Sequence, residues 1–167
     1  MTKATSSKIC SRQLESKEIA RSCAGLDHDE DILLTLLRFF LESFAFPQSQ
    51  SWVRSIDCAA HYFGADKGAI ITQRLLYALE ALRSSRRSDF RFNAPSCSAC
   101  SAIITEDERR FMTAVTKARR GIKGPLAAEL MLLCEGNDIK LVMECVVDLC
   151  DALPPHAPCN SFGNIKA

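Results

Sequence analysis

Asp29-Glu-Asp-Ile32-Leu33-Leu-Thr-Leu36-Leu37-Arg38-Phe-Phe40-Leu41-Glu42-Ser-Phe44 is the stretch that decides the architecture. Ile32, Leu33, Leu36, Leu37, Phe40, Leu41 and Phe44 recur at helical spacing, and three acidic residues place negative charge in the first turn, where the helix dipole favours it. Pro47 ends the segment. So broad an apolar face belongs to a helix buried on more than one side, the centre of an all-helical domain. Arg38 and Glu42 interrupt the run, and no stretch of about 18 uncharged apolar residues occurs, so the sequence predicts no membrane span.

Outward from this helix the pattern repeats with different punctuation. Ser49 or Ser51 opens a second helix through Trp52, Val53, Ile56, Ala59, Ala60 and Phe63, with Gly64 at the position of a C-terminal cap. A third runs from Asp66 through Ile70, Ile71, Leu75, Leu76, Ala78, Leu79 and Leu82. Thr105 and Glu108 form a capping-box pattern ahead of Phe111, Met112, Val115 and Ala118, a fourth helix stopping near Gly121. Pro125 fits the first turn of a fifth, from Ala127 to Cys134 and closed by Gly136. Asp138 caps a sixth carrying Ile139, Leu141, Val142, Cys145, Val146, Leu149 and Cys150. The expectation is an all-α single domain, a bundle or orthogonal array of about six helices. It spans residues 26–154, with a flexible N-terminal arm over 1–25 and a flexible C-terminal tail over 155–167.

Between the third and fourth helices, residues 88–104 have no helical period, and a loop this long in a small domain needs something to order it. It contains Cys97-x-x-Cys100, a spacing that lets two thiolates chelate one tetrahedral ion. Cys58 and His61, three apart on one helix face, can supply the other two ligands, with Cys134 as an alternative. The candidate metal set is therefore Cys97, Cys100, Cys58 and His61, and the cofactor it implies is a structural zinc. Two other readings of the pair stand beside it: ordinary reduced thiols, and a redox dithiol, which lacks the βαβ setting such pairs have.

Composition excludes more than it assigns. Twenty-one basic against twenty acidic residues leave a net charge of +1, so no global field attracts nucleic acid or an anionic membrane. The basic clusters Arg83-Arg86-Arg87-Arg91 and Lys117-Arg119-Arg120-Lys123 each close a helix. The fifth helix, which would be the reader in a helix-turn-helix, has almost no polar side chain for base edges. Nine cysteines, an odd number without a signal peptide, fit a reducing cytoplasm better than a disulfide framework. Cys134, Cys145 and Cys150 sit in apolar helical runs as small hydrophobes. No P-loop, dinucleotide fingerprint, nucleophile elbow or HExxH motif is present, which weighs against an enzyme. His61 with Asp57 as an oriented base, and Asp27-His28-Asp29-Glu30-Asp31 as a cation site, are the remaining chemical readings. The first, third and sixth helices show more apolar surface than one small core absorbs, which favours a homodimer or another protein partner.

Phe90-Arg-Phe-Asn-Ala-Pro-Ser-Cys97-Ser-Ala-Cys100, Ile104-Thr-Glu-Asp-Glu108 and Leu133-Cys-Glu-Gly-Asn-Asp138 resemble a small uncharacterised family of helical proteins in alphaproteobacteria. The resemblance covers about residues 85–140. It implies a bacterial cytoplasmic setting and brings no reaction, cofactor or ligand residue. The expected function is a non-catalytic helical interaction or regulatory protein. The alternatives are a nucleic-acid-binding transcriptional regulator and a small helical enzyme or redox or ligand sensor.

Overall fold

A computed structural model describes residues 13–155. Its long helices are α1 (His28–Ala45), α2 (Ser51–Phe63), α3 (Ala65–Ser85), α5 (Glu106–Arg119), α6 (Lys123–Leu133) and α7 (Lys140–Ala152). A single turn, α4 (Ser98–Ser101), lies within the segment joining α3 to α5. The six long helices are those the hydrophobic period predicts, and the fold is all-α.

The capping chemistry explains where the helices start and stop. Asp27 caps α1: its side chain accepts from the Glu30 amide at 2.8 Å, while Glu30 accepts from the Asp27 amide at 3.1 Å. Thr105 and Glu108 make the same reciprocal pair at the start of α5. Each box satisfies two donors that a helix N-terminus leaves open. Gly64, at φ +83°, makes the reversal between α2 and α3, a conformation that costs glycine little and other residues much.

α1 is the central helix: Leu33, Leu34, Leu36 and Leu37 are fully buried, and Arg38 is buried with them. α2 and α5 pack on α1, α3 packs between α2 and α7, and α5 packs on both α6 and α7. Ile71, Leu75, Phe111, Val115, Leu130, Val146 and Leu149 complete one continuous core. Most of the α1 face is absorbed within the chain, and Phe44 at its end is left 48% exposed.

The segment before α1 has a place in this core. Ile19–Ala20 forms strand β1, antiparallel to β2 (Ile103–Ile104), with Ile19 opposite Ile104. The Arg21 amide donates to the Ala102 carbonyl at 2.8 Å, and its guanidinium reaches Asp31 and Thr35 on α1. Residues 19–26, which the sequence assigns mostly to a flexible arm, thus dock against the loop and α1. Residues 1–12 and 156–167, the rest of the expected arm and nearly all of the expected tail, lie outside the described residues.

Candidate functional site

Cys97 and Cys100 lie together around the single turn α4. Cys97 is the N-cap of α4, and its Sγ accepts from the Cys100 amide at 3.5 Å, a weak sulfur cap. Cys58 and His61 lie on α2, where His61 is exposed and stacks edge-on against Tyr62. Cys134 is buried at the end of α6. Among the described residues no three His, Cys, Asp or Glu side chains converge on a point that could hold a metal ion. Nor does Asp57 hydrogen-bond His61 among the described residues, as an oriented base would require.

What fastens the irregular segment is Arg38, the residue that interrupts the apolar run of α1. Its guanidinium forms a bidentate pair with Glu108 of α5, Nε to Oε1 at 2.8 Å and Nη2 to Oε2 at 2.9 Å. The same group donates to the carbonyls of Ser101 at 2.7 Å and Ile103 at 2.5 Å. Glu108 in turn accepts from the amides of Asn93 at 3.0 Å and Thr105 at 2.9 Å. The Asn93 amide group returns to the Ile103 carbonyl, and Thr105 Oγ1 to that of Arg91. Both charged side chains are wholly excluded from solvent. Removing two charges from water costs several kcal/mol each, and only a network that uses nearly every donor and acceptor offsets it. The guanidinium fork suits this role, because five donors in one plane serve a carboxylate and two carbonyls together.

Two further arginines are buried in the same manner. Arg119 of α5, its side chain 2% exposed, donates to Asp27 at 2.7 Å and to the Pro154 carbonyl at 3.0 Å. Its Nη1 also stands 3.1 Å from Glu30 Oε1. That is an ion-pair distance without hydrogen-bond alignment, so Glu30 Oε1 and Arg119 Nε are buried without a hydrogen bond among the described residues. The acidic run at the start of α1, a cation site on the sequence reading, thus faces the guanidinium of Arg119 from α5. Arg86 binds Asp107 and the Leu133 carbonyl, tying α3 to α5 and α6.

The helical thiols are chemically quiet. Burial raises Cys58, Cys134 and Cys145, and pushes Cys150 up to about 12. A thiol that far up is not a nucleophile at neutral pH. Native protein at pH 8 should leave Cys150 and Cys134 unmodified by iodoacetamide, both reacting fully in denaturant, as read by peptide mass spectrometry. The unfolded Cys150 thiol ionises near 9.0 while the folded one stays protonated. Folding stability is therefore expected to fall as pH rises from about 9 toward 12, since the native state then binds the extra proton.

On the outside, α2 turns part of its apolar stripe away from the core, while Cys58 and Phe63 pack against it. The residues it buries are Ser51, Ser55 and Ala59, and Ser55 Oγ donates to the Leu36 carbonyl on α1. Trp52, Val53 and Ile56 are 47%, 40% and 41% exposed, and Phe46 at the α1–α2 corner is 63% exposed. Arg54 and Asp57 flank this apolar strip. Compared with known proteins, the chain matches no family model, no curated protein and no solved structure.

Proposed function

We propose that the chain is a non-catalytic interaction protein that self-associates through α2. The observation that carries this reading is the inversion of α2: small residues face α1 and α3, and Trp52, Val53 and Ile56 face solvent. A helix with large apolar residues outward and small ones inward gains nothing from that arrangement in isolation. A second copy supplies the missing cover. At 100° per residue Arg54 and Asp57 stand roughly 60° apart on one flank of the strip. A twofold axis perpendicular to the pair, passing near Ile56, keeps equivalent flanks on the same side. Arg54 of each copy then meets Asp57 of the other, and the surface is complementary to itself. The buried arginines support a structural role, because Arg38, Arg86 and Arg119 are all engaged in joining helices.

Sedimentation equilibrium of the full chain tests this. A dimer is expected, and Ile56→Glu is expected to give a monomer with an unchanged circular dichroism spectrum, since Ile56 makes no part of the core. A charge-reversed single variant, Arg54→Asp, should weaken the dimer, and Arg54→Asp with Asp57→Arg should restore it. A wild-type chain that sediments as a monomer at all concentrations overturns the proposal.

A further inference from the structure

Among the described cysteines only Cys97 and Cys100 stand one helical turn apart. Cys145 and Cys150, five residues apart on α7, point roughly 140° away from each other. The turn that carries the first pair is held on both sides. The Cys97 amide donates to the Ala94 carbonyl at 3.3 Å, and the Cys97 carbonyl accepts from the Ser101 amide at 2.8 Å. The Ser101 carbonyl accepts in turn from the buried Arg38 at 2.7 Å. The bond from Ser101 to Cys97 closes a helical turn, which sets the Cα atoms of residues 97 and 100 about 5 Å apart. That lies within the span a disulfide bridges, about 4.4–6.8 Å. Cys97, the N-cap with ψ 114°, turns its side chain back over the turn, so that its Sγ stands 3.5 Å from the Cys100 nitrogen. The second sulfur hangs from that same residue. One rotation, about the Cα–Cβ bond of Cys100, decides whether the two sulfurs meet.

We infer that Cys97 and Cys100 form a reversible disulfide site, closed by exchange with a small disulfide of the glutathione type. One thiolate of the pair attacks a sulfur of the small disulfide, forming a mixed disulfide and expelling one thiolate. The other then attacks the protein sulfur of that intermediate and expels the second. The chain loses two protons and two electrons, and the small disulfide takes them up as two thiols. Closure wins over a persistent adduct because the second sulfur is carried on the same turn. Cys23, exposed and with no cysteine a turn away, can form the adduct and not the ring. The missing βαβ setting bears on dithiol enzymes, which also hold a substrate chain against the pair; a site that is itself modified needs only the turn. Closing the ring ties the residues immediately ahead of the carbonyl that Arg38 grips. The oxidised chain therefore locks the entry to the anchored segment, and the reduced chain leaves it able to open.

Equilibration of the full chain in mixtures of glutathione and glutathione disulfide, followed by alkylation of the remaining thiols and peptide mass spectrometry, tests the site. A disulfide between Cys97 and Cys100 is expected. Its equilibrium constant should be about tenfold or more greater in the native chain than in the same chain unfolded in urea, because the fold holds the turn closed. Cys97→Ser should trap the glutathione adduct on Cys100, and Cys100→Ser should trap it on Cys97. In the oxidised chain the Ser101 amide, which bonds the Cys97 carbonyl, should exchange with solvent more slowly than in the reduced one. An equilibrium constant no greater in the native chain than in urea overturns the inference. So does a stable glutathione adduct on the wild-type pair, a disulfide from either cysteine to Cys10, Cys23 or Cys159, or Ser101 exchange unaltered by oxidation. A pair that resists glutathione disulfide in a chain carrying about one zinc ion by elemental analysis also overturns it, and assigns the two thiolates to the metal.

Discussion

Arg38→Met is expected to remove about 3–5 kcal/mol of folding stability, the loss that follows when one member of a fully buried ion pair is deleted and its partner is left charged and unpaired. For a domain of this size that lowers the melting temperature on the order of 10 °C. The reasoning rests on how much the guanidinium holds. Besides Glu108 it is bound by the carbonyls of Ser101 and Ile103, the second of them buried. Arg38→Lys keeps a charge but not the fork, so it should recover only part of the loss. Adding Glu108→Gln to Arg38→Met removes the stranded charge and should also recover part, still leaving the two carbonyls unserved. Denaturant unfolding gives the magnitudes. Hydrogen exchange locates the effect: the Asn93 and Thr105 amides, which donate to Glu108, should exchange faster in Arg38→Met than in the wild type, before global unfolding. The contrast with the cysteines is direct. Cys97→Ser with Cys100→Ser should change stability by less than about 1 kcal/mol, because serine is itself a good helix cap. A result in which the double cysteine variant loses more than Arg38→Met would transfer the anchoring of the loop from the arginine to the thiols.

The two signals bearing on that loop have unequal weight in the sequence. Cys97-x-x-Cys100 has a recognisable spacing, and spacing suggests an ion. Arg38 registers in the sequence only as an interruption of an apolar run, sufficient to exclude a membrane span but saying nothing of its partner 70 residues away. A positive charge centred in the most buried helix cannot remain unpaired, so the interruption is itself the evidence for a buried acid. Glu108 is legible as the third residue of a capping box, and that local role conceals the distant one. The helices are legible for a different reason. Apolar residues at spacings of three and four report a helix whichever way it faces, so α1, α2, α3, α5, α6 and α7 can all be read. Periodicity does not report the direction of the core. For α2 the apolar stripe is split: Ala59 is buried and Phe63 packs on the core, whereas Trp52, Val53 and Ile56 face outward and Ser51 and Ser55 inward. The two-residue strand at Ile19–Ala20 is too short to show an alternating period at all.

Gly68→Ala tests why α2 faces the way it does. Alanine in a helix interior ordinarily stabilises by up to about 1 kcal/mol relative to glycine, yet this substitution is expected to destabilise by about 2–3 kcal/mol, within the range for overpacking a tight contact. A Cβ at position 68 would lie 2.6 Å from the carbonyl carbon and oxygen of Ala59 and 2.8 Å from the Ala60 nitrogen. These are backbone atoms, so no rotamer change relieves the clash, and truncating Ala59 to glycine should not rescue it. The helices themselves must separate. Gly124→Ala on α6 is the control: beyond its chain neighbours its Cβ meets nothing within 4 Å, and the expected cost, set only by the crowding of the following Pro125, is smaller than that at Gly68. Chemical denaturation of the two variants, side by side, measures the difference. The close approach is also what fixes the outward face. Only small residues fit where α2 meets α3 at Gly68 and α1 at Ser51 and Ser55, so Trp52, Val53 and Ile56 have nowhere to go but the surface. Pushing α2 away from α3 should therefore weaken self-association as well as folding. Gly68→Ala should raise the dimer dissociation constant under conditions where the chain remains fully folded, whereas Gly124→Ala should leave it unchanged. A destabilised Gly68→Ala chain that dimerises as tightly as the wild type would separate the packing of α2 from its exposed surface, and would place the contact between copies on another helix.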